Sequence, residues 1–266
     1  RDEKQVTLLL KNYNIDFKLL ENVVSKSCNS KLAITNISNS EIQNAVVVTL
    51  KTKPNFDIVF GFATVSKNSN ANGDTHSVVR LGNDKYLLAI CDGMGNGIKA
   101  KETSELSISL IENFYKAGFD NETVLKSVNK LLSLSNKESF SALDLCVLDL
   151  RKNFCDFIKL ATPSTFIKHK HTTDEIESSG LPIGILEDIK PNTIKTYLSE
   201  FDIIVMVSDG ITETFSKVYD LKTFVNNILS TNPQTIADEI MKMAMQVNPI
   251  PQDDMTVLVA RVYPVV

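Results

Sequence analysis

Apolar, strand-like runs follow one another in this chain with too few residues between them for a helix. Residues 56–66 (FDIVFGFATVS), 76–82 (HSVVRLG) and 85–92 (KYLLAICD) form one such series, and 141–150, 154–161 and 164–169 form a second. Parallel neighbours need a crossover of about a dozen residues, so these spacings favour antiparallel pairing. The sequence predicts an α+β fold in which antiparallel sheets are covered by helices.

Four segments carry helical spacing of apolar residues. We predict a helix over residues 98–117, with Leu106, Leu110 and Phe114 as its apolar stripe and Ile111 and Tyr115 broadening it. A second helix is expected around Val124–Leu132. A third is expected from Leu221 to Leu229. Asn232-Pro233 is typical of the start of a fourth.

The first 52 residues have a different rhythm and are predicted to be a small α/β segment, separated near Thr52–Pro54 from a large domain at 53–266. Within the small segment we expect a short helix at Val6–Leu10, strands at 17–24 (FKLLENVV) and 31–37 (KLAITNI), and a helix after Ser40.

Charge, composition and missing motifs argue against several classes of function. The net charge of −4 argues against nucleic acid as the main partner. No run approaches the ~18 apolar residues of a membrane helix. The four cysteines have no C-x-x-C spacing, and Cys91 lies inside an apolar run, which indicates a packed thiol. Motifs for a P-loop, a C-x5-R loop and a G-x-S-x-G serine nucleophile are not found.

Acidic residues stand at the ends of four strand-like runs. Asp92-Gly93 and Asp209-Gly210 each end one, Asp253-Asp254 begins another, and Asp74 enters a fourth. Each Asp-Gly pair alone is typical of an ordinary turn. Carboxylates at the rim of a sheet are costly to desolvate, however, and four in one place need cations to neutralise them.

If these segments meet, the ligands are all oxygen atoms, which suits Mg²⁺ or Mn²⁺. Two such ions about 4 Å apart form a hydrolytic device that acts on phosphorus. In this interpretation, the glycines of DGMGNG leave room for the ions and a phosphate.

The motifs DGMGNG, LPIGI, SDG and DDMTV, in this order, resemble the metal-dependent protein serine/threonine phosphatases of type 2C, the PPM family, and more narrowly a bacterial sporulation branch of it. The resemblance implies an α-β-β-α sandwich and two Mn²⁺ or Mg²⁺ ions. It also implies that Asp92 and the Gly93 carbonyl bind metal, with Asp209 and Asp253 at the first ion and Asp74 near the second. Asp254 matches a position that the wider family often fills with Asn and is ranked below Asp253.

By the same resemblance, the substrate is a phosphorylated anti-anti-sigma factor whose dephosphorylation leads to activation of a sporulation sigma factor. The full-length protein is then expected to be anchored in the inner membrane at the division septum, with this domain in the cytoplasm; a homodimer stays open. Two alternatives are a stress-response phosphatase acting on a related anti-anti-sigma protein and an inactive binding scaffold. We also hypothesise that the helix over 98–117 is a switch that moves Asp92 and Gly93.

Overall fold

The structure is a computed structural model with two compact units, Arg1–Asn55 and Phe56–Val266. It describes residues 4–11, 14–42, 44–67, 71–82, 84–95, 97–134, 140–177, 180–186, 189 and 192–265.

The first unit is a three-stranded antiparallel sheet with one helix. Its elements are β1 (Gln5–Lys11), α1 (Phe17–Ser27), β2 (Leu32–Asn39) and β3 (Ala45–Thr52), and the strand order is β1-β3-β2. Val24 of α1 packs on Leu32, Val48 and Leu50 of the sheet.

Three sequence predictions in this unit are wrong. Val6–Leu10 is part of β1, because its apolar residues alternate and pair with β3. Residues 17–24 form most of α1, which Asp16 caps by accepting the backbone N–H groups of Lys18 and Leu19. No helix follows Ser40 in the described residues: the N–H of Ala45 donates to the carbonyl of Ile42, and β3, whose valines favour a strand, begins at Ala45.

The second unit contains two five-stranded sheets. The first sheet has the order β11-β8-β7-β6-β5, the second has the order β10-β9-β12-β13-β4, and every pairing within them is antiparallel. The strands are β4 (Phe56–Val65), β5 (Asp74–Leu81), β6 (Lys85–Gly93), β7 (Ser141–Asp149), β8 (Phe154–Leu160), β9 (Thr165–Lys168), β10 (Thr173–Ile176), β11 (Thr193–Tyr197), β12 (Ile203–Val207) and β13 (Met255–Pro264).

Helices cover the outer face of each sheet. The first sheet packs against α2 (Ile98–Lys116) and α3 (Asn121–Leu134), and the second against α4 (Asp209–Phe215), α5 (Leu221–Asn227) and α6 (Pro233–Val247). A third apolar cluster, with residues such as Leu88, Phe157 and Leu258, fills the space between the sheets. The predicted α-β-β-α sandwich is therefore confirmed.

Helix α2 forms where predicted, and most of its predicted stripe faces the core. Ile111 and Tyr115 are buried, and Leu110 and Phe114 pack against the same cluster, whereas Leu106 is 48% exposed. The buried face also carries small side chains at Ala100, Ser104 and Ser107, which the apolar pattern did not predict.

At 19 residues, α2 is the longest helix in the described part of the chain, and it carries several charges. None of the described helices combines the length and the apolar character needed to cross a membrane.

Candidate metal site

Asp74 and Asp92 are direct neighbours on adjacent strands. Asp74 is the first residue of β5, Asp92 is the last but one of β6, and the antiparallel register pairs them with each other. Directly opposed residues have Cβ atoms about 5 Å apart, and like charges in such a pair destabilise the sheet. The fold therefore brings two acidic side chains together at one rim of the first sheet.

The electrostatics of this rim disfavour ionised carboxylates. Burial, and then the charges of Asp74, Asp209, Asp253 and Asp254, raise the pKa of Asp92 to about 8. Burial raises the pKa of Asp74 to about 6. The shift at Asp92 shows that the other four acidic side chains of the predicted site all lie close enough to affect its charge.

Asp74 is buried without compensation. Its side chain is 7% exposed, and neither carboxylate oxygen has a hydrogen-bond partner among the described residues. The hydroxyls of Ser208 and Thr256 lie near enough to oppose the rise of its pKa, yet neither forms a well-aligned hydrogen bond with the carboxylate. A buried carboxylate with this surrounding needs a proton or a cation.

Asp209 reaches the site from a helix, which corrects the prediction that it ends a strand. Strand β12 stops at Val207, and Asp209 is the first residue of α4. Gly210 follows it, and a Cβ there would lie 2.3 Å from the carbonyl oxygen of Asp254, so only glycine permits this approach. Burial and the charge of Asp253 raise the pKa of Asp209.

Asp253 and Asp254 precede β13, which begins at Met255. The Asp253 Oδ1 atom accepts the backbone N–H of Asp254 at 2.9 Å, and the Asp253 side chain is exposed. The two oxygens of Asp254 accept backbone N–H groups from Lys67 at 2.7 Å and Gly73 at 2.6 Å.

Gly93 is required by packing. A Cβ at this position would lie 1.9 Å from the carbonyl oxygen of Ala100, in the first turn of α2. This is a different reason for glycine from the predicted one, because here the space is filled by the helix. A role for the Gly93 carbonyl as a metal ligand stays a prediction.

The donor set fits hard cations in kind and in charge. The side chains of Asp74, Asp92, Asp209 and Asp253 offer only oxygen atoms, and the orphaned carboxylate of Asp74 points to a missing positive charge. No three Asp, Glu, His or Cys side chains within the described ranges already converge closely enough to hold one ion. Carboxylates close around an ion only when its charge offsets their repulsion, and carbonyls and water complete the shell.

Ser208 and Thr256 were missed by the sequence reasoning. The backbone N–H of Ser208 donates to the carbonyl of Thr256 at 3.0 Å, and the N–H of Thr256 donates to the Ser208 hydroxyl at 2.9 Å. Their positions directly beside SDG and DDM were the available signal, since neighbours of acidic strand ends line the same rim.

Cys91 is confirmed as a packed residue. Its thiol is fully buried, and burial raises its pKa to about 12. A thiolate nucleophile is therefore not available at this position.

Comparison with known proteins agrees with the fold and the motifs. A family model described as Stage II sporulation protein E (SpoIIE) matches residues 82–263. Stage II sporulation protein E of Priestia megaterium is 35% identical over 196 residues, which are 71% of this chain and 34% of that protein. The protein of the same name from Bacillus subtilis (strain 168) is 36% identical over 197 residues, 72% of this chain and 24% of that protein. The chain thus spans about a third and about a quarter of their lengths.

A solved structure extends the similarity over almost the whole chain. It contains the PP2C phosphatase domain and a fragment of the regulatory domain of SpoIIE from Bacillus subtilis. Its TM-score is 0.82 at 27% identity, and the match covers 99% of this chain and 80% of that one.

The fold and the matched relatives define the class of this protein, the PP2C-type serine/threonine phosphatases. Within that class, the chain belongs to the Stage II sporulation protein E family. The resemblance seen in the sequence motifs is confirmed.

Proposed function

We propose that this chain hydrolyses phosphoserine or phosphothreonine on a protein with the help of two divalent cations, Mn²⁺ or Mg²⁺. The observation that carries the proposal is the facing pair of buried Asp74 and half-buried Asp92, whose pKa values are raised and which forms no salt bridge with any residue that the structure describes. The membership in a family with a PP2C phosphatase fold supports the same conclusion.

The carboxylates have distinct proposed tasks. The charges of Asp74, Asp209 and Asp253 all act on Asp92, which suits a ligand shared by both ions. Asp209 and Asp253 would hold the first ion together with Asp92, and Asp74 would serve the second. When bound, the cations supply charge neutralisation for the phosphate and activation of a water molecule as the nucleophile.

The protein's own groups set the conditions for this chemistry. Asp92 has to release its proton before it can bind a cation, and its pKa of about 8 makes that release sensitive to pH near neutrality. Ser208 and Thr256 are buried hydroxyls beside Asp74 and polarise its surroundings toward the ionised form. Cys91 cannot replace water as a nucleophile, because its thiol stays protonated.

Helix α2 is coupled to this rim by contact. The carbonyl oxygen of Ala100 would lie 1.9 Å from a Cβ on Gly93, so movement of the helix toward the sheet would press on the residue after Asp92. This contact supports our proposal that α2 acts as a switch on the metal site.

The proposed substrate is a phosphorylated anti-anti-sigma factor, in a pathway that activates a sporulation sigma factor. The similarity to sporulation proteins supports it. On the same ground we propose that the full-length protein is anchored in the inner membrane at the division septum and that this domain faces the cytoplasm. A homodimer stays a prediction.

The test is phosphate release from a phosphorylated anti-anti-sigma protein with Mn²⁺, with Mg²⁺, and with a chelator. We expect release with either or both metals and none with the chelator. An unrelated phosphoserine protein is the matched substrate control, and equal release from both would remove the anti-anti-sigma assignment while leaving the phosphatase. Binding of the phosphoprotein without release under any metal would instead favour the inactive scaffold.

A further inference from the structure

The neighbouring residues Asp253 and Asp254 use their carboxylates in different ways. Asp253 is exposed, and its Oδ1 accepts only the N–H of the next residue, at 2.9 Å. Asp254 is half-buried, and each of its oxygens accepts a backbone N–H at a short distance, from Lys67 at 2.7 Å and from Gly73 at 2.6 Å. Hydrogen bonds to an ionised acceptor are among the stronger ones in proteins.

The two donors stand at the two ends of one connection. Lys67 follows β4, the edge strand of the second sheet, and Gly73 precedes β5, the edge strand of the first sheet. Asp254 itself lies at the start of β13, which pairs with β4. Its carboxylate therefore joins both ends of the crossover between the sheets to a third strand.

The same connection holds part of the candidate metal site. The carbonyl of Gly73 accepts the N–H of Gly93 at 3.2 Å, and Asp74 is the next residue. Any loosening at Gly73 is transmitted by one peptide bond to Asp74 and by one hydrogen bond to the turn after Asp92. The Gly73 backbone thus links the Asp254 carboxylate, which its N–H contacts, to Gly93 and Asp74 at the acidic rim.

We infer that Asp254 is a positioning residue whose carboxylate clasps Lys67 and Gly73 and holds Asp74 opposite Asp92, leaving Asp253 as the carboxylate that faces a cation. An Asn at 254 keeps one acceptor oxygen and turns an NH₂ group toward an N–H donor. That variant loses one of the two bonds, and an Ala variant loses both. The part that concerns cation binding rests on the proposed function, but the clasp does not.

The first measurement is hydrogen exchange, followed by mass spectrometry, on metal-free protein. In Asp254→Asn, amide exchange of the described residues at 67 and 71–75 should become about tenfold faster, and faster still in Asp254→Ala. Asp253→Asn is the matched control, with the same loss of charge one residue away, and should leave this segment unchanged. Failure of the phosphatase assignment would not alter these expectations.

The second measurement is the affinity for Mn²⁺, followed by the signal of free Mn²⁺ in electron paramagnetic resonance. We expect a loss of about tenfold in Asp254→Asn, typical of a residue behind a ligand, and a much larger loss in Asp253→Asn. Unchanged exchange in both Asp254 variants would overturn the inference. So would a loss of Mn²⁺ in Asp254→Asn as complete as in Asp253→Asn. If Asp254→Ala does not fold by circular dichroism, the nearly isosteric Asn variant decides.

Discussion

Asp74 and Asp144 are buried carboxylates in the same sheet, but their surroundings are opposite. Asp74 and Asp92 face each other at the rim, and no described residue forms a hydrogen bond with the carboxylate oxygens of Asp74. On β7, Asp144 is fully buried and pairs with Lys159 of β8, whose Nζ lies 2.5 Å from Oδ2. The Thr165 hydroxyl donates to the same oxygen at 2.7 Å.

The two places are close along the sheet. Asp92 stands opposite Ala142, and Ile90 stands opposite Asp144. The inner pair, Asp144 and Lys159, therefore lies two residues further from the rim on the neighbouring strands. Where the chain supplies its own cation, the buried carboxylate belongs to the core. Where it supplies none, the pKa rises, and we propose that a cation from solution completes the charge balance. The predictions below test this difference.

The largest effect is expected on activity. Asp92→Asn removes the carboxylate shared by the proposed ions, and phosphate release should fall by more than about 1,000-fold, the scale of losing a central electrostatic group. Asp57→Asn removes an exposed carboxylate at the far end of β4 and should keep full activity. Wild-type rates in Asp92→Asn would contradict the assignment of the rim.

Breaking the inner pair should cost stability. Lys159→Met leaves Asp144 buried and unpaired, and the free energy of unfolding in urea should fall by about 3–5 kcal/mol. The double variant Lys159→Met with Asp144→Leu removes both charges and should regain most of that loss. A neutral single variant would show that the pair contributes nothing to the core.

The pH dependence of metal-free protein should reveal the rim. In the folded state Asp92 and Asp74 keep protons up to about pH 8 and pH 6, whereas in the unfolded chain they release them near 3.8. Raised folded-state pKa values stabilise below the unfolded pKa, and this stability is lost as pH rises through the folded values. Between pH 5 and pH 8 the wild type should lose on the order of 4 kcal/mol relative to Asp92→Asn. Parallel curves for the two proteins would count against this account.

Removing a charge at the rim should raise the stability of the metal-free protein slightly, whereas removing a charge from the inner pair lowers it. Asp74→Asn removes one of two facing charges and should stabilise metal-free protein at pH 8 by about 1 kcal/mol. Thermal unfolding with and without Mn²⁺ measures it, and the stabilisation by Mn²⁺ should shrink in the same variant. A destabilised variant at this pH would mean that Asp74 already has a partner.

The sequence predicted helix-covered antiparallel sheets and the acidic rim because both follow from local signals, whereas the sandwich arrangement came from the family resemblance. Long apolar runs ending in Asp92-Gly93 or starting near Asp74 define strands and their ends. The short runs of the first unit were misassigned, since five to eight apolar residues suit a helix or a strand equally well. In that unit the Asp16 cap makes residues 17–27 a helix, and pairing with β3 makes residues 5–11 a strand.

The inner pair and the clasp depend on contacts between strands that are distant along the chain. Lys159 lies in the apolar run of β8, and nothing local shows that Asp144 stands opposite it. Likewise, Asp254 meets Lys67 and Gly73 across more than 180 residues. Register and sheet packing create these contacts, and a single sequence does not encode them in any short window.

The most direct test is anomalous scattering from crystals of this chain grown with Mn²⁺. The account predicts manganese peaks within bonding distance of the carboxylates of Asp92, Asp209 and Asp253, with a second peak toward Asp74. Peaks only at other places, or none under conditions that support phosphate release, would contradict it.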